Sequence, residues 1–353
     1  MNDERDYKGG AKGARARAGA GHAAVPGRRR VLASLSSLAL VGVLPAAIRG
    51  AHAADPFPTR PIKVIVAFAP GSQTDALVRT LSPRMGQALG TTIVVDNKPG
   101  ATGIIGTQFA ANAPPDGYTL VMGGVSSHGT LPAVNPKLPY DALKDFVPIG
   151  LATAPPAFIA VHPSVPANNL KEFVEWSKQQ PAGVSYASTG VGSSGHLSAE
   201  MLAMQTGAKL VQIPYKDVGQ ATTDLLSGQV KMFIYYTPLL PHIRAGRLKA
   251  LAVLADKRVD AAPEIATAAE QGFPRLIASG WTGLFGPAGL PDAIRDQVAN
   301  ALAQALADPE VKAVLAQQGQ QPNPLGPVAF RAFVEADIGR WKEVVRVAGV
   351  KME

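Results

Sequence analysis

The chain of 353 residues contains no cysteine. That absence removes disulfide staples, thiolate nucleophiles and cysteine-held zinc or iron-sulfur clusters together, and a chain of this length needs no staple to build its core. Histidine is scarce: of six, only His128, His162, His196 and His242 fall after residue 53. None stands in HExxH or another close ligand spacing, so no metal site is expected. Ser127 and Ser194 each have a histidine nearby but no GxSxG elbow around them, and adjacency in sequence does not put a base on a nucleophile. Also missing are the Gly-Lys-Ser/Thr ending of a phosphate P-loop and any fixed-period repeat.

What is present is a globular composition, 46% hydrophobic, on a chain long enough for two lobes of ordinary size. The net charge of +8 first suggests nucleic acid or an anionic membrane. Nine of the 34 basic residues but only three of the 26 acids lie before residue 54, which leaves the remainder at +2 and removes nucleic acid from the expected partners. The basic opening reads as an export leader. Arg28-Arg29-Arg30 precede an apolar stretch from Val31 to Ile48, and Ala51-His52-Ala53 forms a small-x-small cleavage site. The stretch carries Ser34, Ser36, Ser37 and Pro45 and lacks a stop-transfer flank, so cleavage near Ala53 is expected over a retained membrane helix. The arginines match a twin-arginine signal only in part, and Sec and Tat export both stay open. Residues 1–27 are set aside from the fold.

From Pro61 onward short β-branched runs alternate with helical periodicity, which predicts an α/β fold with largely parallel sheets. Strands are expected at Ile62 to Phe68, Thr92 to Val95 and Tyr118 to Met122. Helices are expected from Asp75, with a kink at Pro83, and at Ile104 to Asn112. After the apolar segment Phe146 to Val161 the alternation restarts: helix Leu170 to Lys178, strand Ser185 to Ser188, helix His196 to Thr206, strand Leu210 to Ile213, helix Gln220 to Ser227, then strands Lys231 to Tyr235 and Ala250 to Val253. Leu276 to Gly286 reads as strand, and Pro291 opens a closing helical block. The three tryptophans are expected in the core or between the lobes, with Trp281 placed to report closure.

Two glycine-rich loops carry the chemistry. Phe68-Ala-Pro-Gly-Ser-Gln-Thr-Asp75 runs from a strand into a helix, presenting backbone N–H groups at a positive helix end that suits a carboxylate or phosphate. Ser72 or Thr74 capping an ordinary βα turn is the alternative. Gly190-Val-Gly-Ser-Ser-Gly195 matches GxGxxG between a strand and a helix, with Asp217 about 20 residues on. It fits a dinucleotide, but the reading that demands less, and is preferred, is a small-residue loop whose Thr189, Ser193 and Ser194 hydroxyls and N–H groups hold a carboxylate, with Tyr215 and Lys216 beside it.

Seven strings, in order and spacing along the expected mature chain, resemble the substrate-binding proteins of tripartite tricarboxylate transporters, the Bug family of β-proteobacteria. They are PTRPIKVIVAFAPGSQTD from Pro58, VVDNKPGATGIIG from Val94, PPDGYTLVMG from Pro114, LPYDALKDFVPIG from Leu138, STGVGSSGHLSAEML from Ser188, IPYKDVGQATTDLLSGQV from Ile213 and HIRAGRLKALAV from His242. The resemblance implies a type II periplasmic-binding-protein fold, two α/β lobes joined by two crossing segments, closing on ligand by hinge motion. After a leader at 1–53, lobe 1 is expected at 54–152 and 279–353 and lobe 2 at 153–278. It implies no enzyme activity and no cofactor: a monomer captures a small carboxylate or acidic amino acid and delivers it to the transporter's membrane subunits. Carried onto this chain, the ligand residues are Phe68, Pro70, Gly71, Ser72, Thr74 and Asp75 in one loop and Thr189, Gly190, Gly192, Ser193 and His196 in the other. Ser126, His128, Tyr215 and Lys216 flank them, and Asp75 is expected to brace its loop instead of touching an anion. Ser72, Asp217 and Lys231 depart from the family's usual glycine, glycine and acid. Two other readings stand beside this one: an exported NAD(P) oxidoreductase using Gly190, Gly192, Gly195 and Asp217, and a carboxylate sensor docking on a membrane kinase.

Overall fold

The computed structural model describes residues 57–215 and 217–350. The expected export leader, residues 1–53, and Lys216 lie outside the described residues. Among the described residues no helix is long and apolar enough to cross a membrane.

The first sheet is built from β1 (Ile62–Val66), β2 (Ile93–Asn97), β3 (Thr119–Gly124), β4 (Phe146–Thr153), β10 (Thr282–Pro287) and β11 (Pro322–Leu325). The second takes β5 (Phe158–Val161), β6 (Val184–Ser188), β7 (Leu210–Pro214), β8 (Met232–Tyr235) and β9 (Lys249–Val253). Helices α1 (Gln73–Leu89), α2 (Ile104–Ala111) and α3 (Leu131–Val134) accompany the first sheet, and α4 (Leu170–Lys178), α5 (Ser194–Thr206), α6 (Val218–Ser227) and α7 (Leu240–Arg244) the second. The chain closes with α8 (Asp292–Ala307), α9 (Pro309–Gln317) and α10 (Pro327–Ala348). Helix α1 runs unbroken through Pro83.

Strand order in the first sheet is β2-β1-β3-β10-β4-β11, and in the second β7-β6-β8-β5-β9. The two share one plan. Three parallel strands in the order 2-1-3 come from consecutive βα units, and then a reversed strand is inserted, β10 in one sheet and β5 in the other. The reversed strand separates β3 from β4 and β8 from β9. The sheets are therefore mixed, although most strands point the same way. Each reversed strand begins where the chain has just crossed from the other sheet, so its direction is imposed by the crossing.

The crossings run from Thr153 to Phe158 and from Val253 to Thr282, and they meet. Ala157 N–H donates to Ala278 O at 2.9 Å and Gly280 N–H to Pro155 O at 2.8 Å, flanking a bridge between Pro156 and Ser279. Leu276 to Trp281, expected as strand, is this crossing; the strand starts at Thr282.

One apolar core extends through both lobes, including Phe146, Phe285 and Phe330 of the first and Tyr186, Leu197 and Met201 of the second. Helix α10 packs against both β4 and α5, so it touches each lobe. Trp281 and Trp341 are fully buried, and burying an aromatic of this kind stabilises by roughly 2–3 kcal/mol. Their indole N–H groups both donate to Asp337 Oδ2, at 2.8 and 3.0 Å, which ties α10 to the returning crossing.

Candidate functional site

In each sheet, β1 and β6 connect to one neighbour while the next βα unit returns on the other side. The carboxyl ends of these strands are therefore the switch points where open α/β sheets bind ligands. The two predicted loops lie there, and they are built alike. Gly71 and Gly192 take positive φ (81° and 76°) to turn the chain. The next residue, Ser72 or Ser193, is an extended N-cap whose hydroxyl accepts the N–H of Asp75 or His196 at 3.3 Å. That third helical residue reaches back in turn. Asp75 Oδ2 accepts the Gly71 N–H at 2.9 Å, and His196 Nδ1 accepts the Gly192 N–H at 3.0 Å. Each serine hydroxyl is thus committed to its cap, and among the described residues the N–H groups of Gln73 and Thr74, and of Ser194 and Gly195, keep no intramolecular acceptor. Two such N–H groups at a positive helix end, one pair per lobe, suit an anion.

Asp75 is buried and also accepts Arg79 Nε at 2.9 Å and Asn97 Nδ2 at 2.9 Å. The Arg79 hydrogen bond leads the effects that hold its carboxyl down to about 2, against the opposing cost of burial. Asn97 Nδ2 further donates to Phe68 O at 3.1 Å, so the end of β2 holds the loop's entry. Gln320 Nε2 donates to Gln73 O at 2.9 Å while its Oε1 accepts Thr153 Oγ1 at 3.3 Å, linking the first turn of α1 to the start of a crossing. In the second lobe, the Tyr236 hydroxyl donates to Ser194 Oγ at 2.7 Å, leaving that hydroxyl's own proton free to point outward.

Phe68 is half-buried, Pro70, Gly71 and Thr189 are exposed, and Thr74 and Gly190 are intermediate. Ser126 and His128 fall on a π-helical turn, Val125–Thr130, at the end of β3, and α5 packs against it. Ser126 stays partly exposed, but the imidazole of His128 lies in the core, stacked on Phe285 at 4.0 Å with Nδ1 2.9 Å from Ser127 Oγ. Burial depresses His128 to about 3, so the ring is neutral and acts as packing beneath the turn. The Tyr215 hydroxyl donates to Asp224 Oδ2 at 2.9 Å. Asp217 is the N-cap of α6, accepting the Gln220 N–H at 2.9 Å, so the acid that a dinucleotide ribose needs is already engaged. Lys231 donates to Gly228 O at 2.9 Å at the far end of β8, away from both loops. Asn97, Gln320, Arg79 and Tyr236 were not anticipated as supports.

A cavity of about 940 Å³ is lined by the C-terminal half of α1 and the start of β2, including Gly86, Gly90 and Thr92. It runs from the start of β1 and β2 along α1 as far as Arg79, so it lies mainly at the other end of the strands from the loops.

A profile of the tripartite tricarboxylate transporter family receptors matches residues 77–350. The chain belongs to that family. This receptor is 36% identical over 320 residues to Protein BugT of Bordetella pertussis, covering 90% of this chain and 98% of BugT. It superposes on the structure of the periplasmic binding protein BugD with a TM-score of 0.71 at 35% identity, over 84% of this chain and all (100%) of BugD. MatC from Rhodopseudomonas palustris, solved with bound malate, gives 0.70 at 32% identity over 82% of this chain and 100% of MatC. The type II periplasmic-binding architecture expected from the sequence is thus the family's, and the chain is a binding receptor rather than an enzyme.

Proposed function

We propose that this receptor works in the periplasm, exported by a signal cleaved near Ala53, where a monomer captures a small carboxylate between its lobes. It then hands the ligand to the membrane subunits of a tripartite tricarboxylate transporter. The observation that carries the reading is the pair of matching helix N-termini, one per lobe, each offering two N–H groups with no acceptor among the described residues. A carboxylate at one such end gains about 0.3–1 kcal/mol from the helix dipole, and up to about 2 kcal/mol where partly buried. A dicarboxylate with a carboxylate for each end gains from both, and ordered water can complete the fit to ligands of different length. MatC's malate supports dicarboxylates as the first candidates. The paired crossings supply a short hinge on which the lobes close.

Thermal-shift measurement on the exported protein, stripped of ligand by refolding, tests this. Malate or another small dicarboxylate is expected to raise the melting temperature with the logarithm of its concentration. Stabilisation by NADP alone, with none by any carboxylate, would overturn the proposal.

A further inference from the structure

Resting on the carboxylate reading above, we infer that Gln320 is a positioning residue that aims the Thr74 N–H at the ligand and ties it to the first crossing. A turn at the end of α9 puts Gln320 in place. Gly319 takes a positive φ of 68°, its N–H donates to Ala316 O at 3.0 Å, and the Gln320 N–H donates to Leu315 O at 2.8 Å. This is the Schellman pattern, which ends a helix and fixes the residue just beyond it. Gln320 is buried, and its neighbours allow the side-chain amide one orientation. The Gln73 carbonyl only accepts, so the group 2.9 Å from it is Nε2. Oε1 therefore faces Thr153 and accepts the proton of that fully buried hydroxyl at 3.3 Å.

The Gln73 carbonyl and the Thr74 N–H belong to one planar peptide. Holding and polarising the carbonyl end orients the N–H end and makes it a stronger donor. The Thr74 N–H is one of the two in the first loop with no acceptor among the described residues. Donation therefore runs in one direction, from the Thr153 hydroxyl through the Gln320 amide and the Gln73–Thr74 peptide to the ligand. An anion at the end of the row strengthens each bond behind it. The hydrogen bonds of Asp75 hold Gly71, Arg79 and Asn97, and among the described residues no side chain other than Gln320 reaches the Gln73 carbonyl. Thr153 is the last residue of β4, where the crossing to the second sheet begins, so movement of that crossing is felt at the amide. The turn also meets the second lobe. A Cβ on Gly319 would lie 3.2 Å from Thr237 Cβ, one residue beyond the Tyr236 whose hydroxyl donates to Ser194.

The test is a calorimetric titration of malate, or of the small carboxylate that stabilises the protein best in thermal shift, into the refolded exported protein and three variants. These are Gln320→Met, Thr153→Val and the two combined. Methionine keeps the length of the side chain and removes both of its hydrogen bonds. Gln320→Met is expected to raise Kd about three- to tenfold, roughly the worth of one lost hydrogen bond. Thr153→Val is expected to raise Kd about twofold beside Gln320 and to leave it unchanged beside methionine, because the hydroxyl acts on the ligand through the amide. The Thr74 amide proton gives a second readout: ligand shifts it downfield in the wild-type protein and by less in Gln320→Met. An unchanged Kd in folded Gln320→Met, or a Thr153→Val effect that persists in full beside methionine, overturns the inference and leaves the carboxylate reading intact. No binding of any small carboxylate by the wild-type protein overturns both. If Gln320→Met does not fold, the wild-type protein decides: Thr74 and Gln320 side-chain N–H protons that move downfield together as ligand saturates support the inference, and a Gln320 resonance indifferent to ligand excludes it.

Discussion

Asp75 concentrates the first loop's hydrogen bonds in one carboxylate, and replacing it tests whether the loop matters for binding. Asp75→Asn is expected to lower stability by about 1–2 kcal/mol in urea unfolding and to weaken malate binding severalfold, because the Gly71, Arg79 and Asn97 donors lose a charged acceptor. Its folded carboxyl titrates below the unfolded one, at about 2 against 3.8. The stabilisation is therefore present above the unfolded value and lost as pH falls through the folded one, so the wild-type advantage over Asp75→Asn should shrink between about pH 4 and 2. Asp217→Ala is a contrasting case. It removes the N-cap of α6, costing about 1 kcal/mol, and should leave malate affinity unchanged by calorimetry. The bracing contacts of Asp75 were anticipated from charge, since a carboxylate facing an anionic ligand would repel it. Asn97 and Gln320 were not, since they reach the loop from 22 and 247 residues away and no local spacing signals such contacts.

At the scale of elements, the joint between α10, the returning crossing and the π-helical turn stands out. Asp337 accepts both buried indoles, and a Cβ at Gly129 would lie 2.6 Å from its Oδ2, so backbone, helix and crossing meet at one carboxylate. Asp337→Ala leaves two indole N–H groups without acceptors and an arginine without its partner; a loss of about 3 kcal/mol is expected in chemical denaturation. Burial raises the Asp337 carboxyl, the reverse of Asp75, so its contribution is greatest below the unfolded value and falls as pH rises through the folded one. Element types were largely legible: α4 fell on its expected residues, and β1, β3 and α6 within two residues at most of their ends. Strand direction was not. The reversed β5 and β10 have the same apolar composition as their neighbours, and only the crossings decide which way they run. The short α3 and α7 escaped for a related reason, being too brief to show a helical period.

For the whole molecule, the repeat that no sequence period revealed is one of topology: two 2-1-3 sheets, each with an inserted strand, and two loops with matching caps. Different residues meet the same backbone demand at the third helical position, Asp75 in one lobe and His196 in the other, which hides the repeat from a comparison of letters. A site shared by both loops has a consequence that neither loop has alone. Calorimetric titration of malate into the refolded exported protein, its Asp75→Asn variant and a Gly192→Val variant, whose positive φ valine tolerates poorly, measures it most directly. One ligand per chain is predicted, with affinity reduced about tenfold or more by disturbing either loop. Wild-type affinity in either folded variant would contradict capture between the lobes.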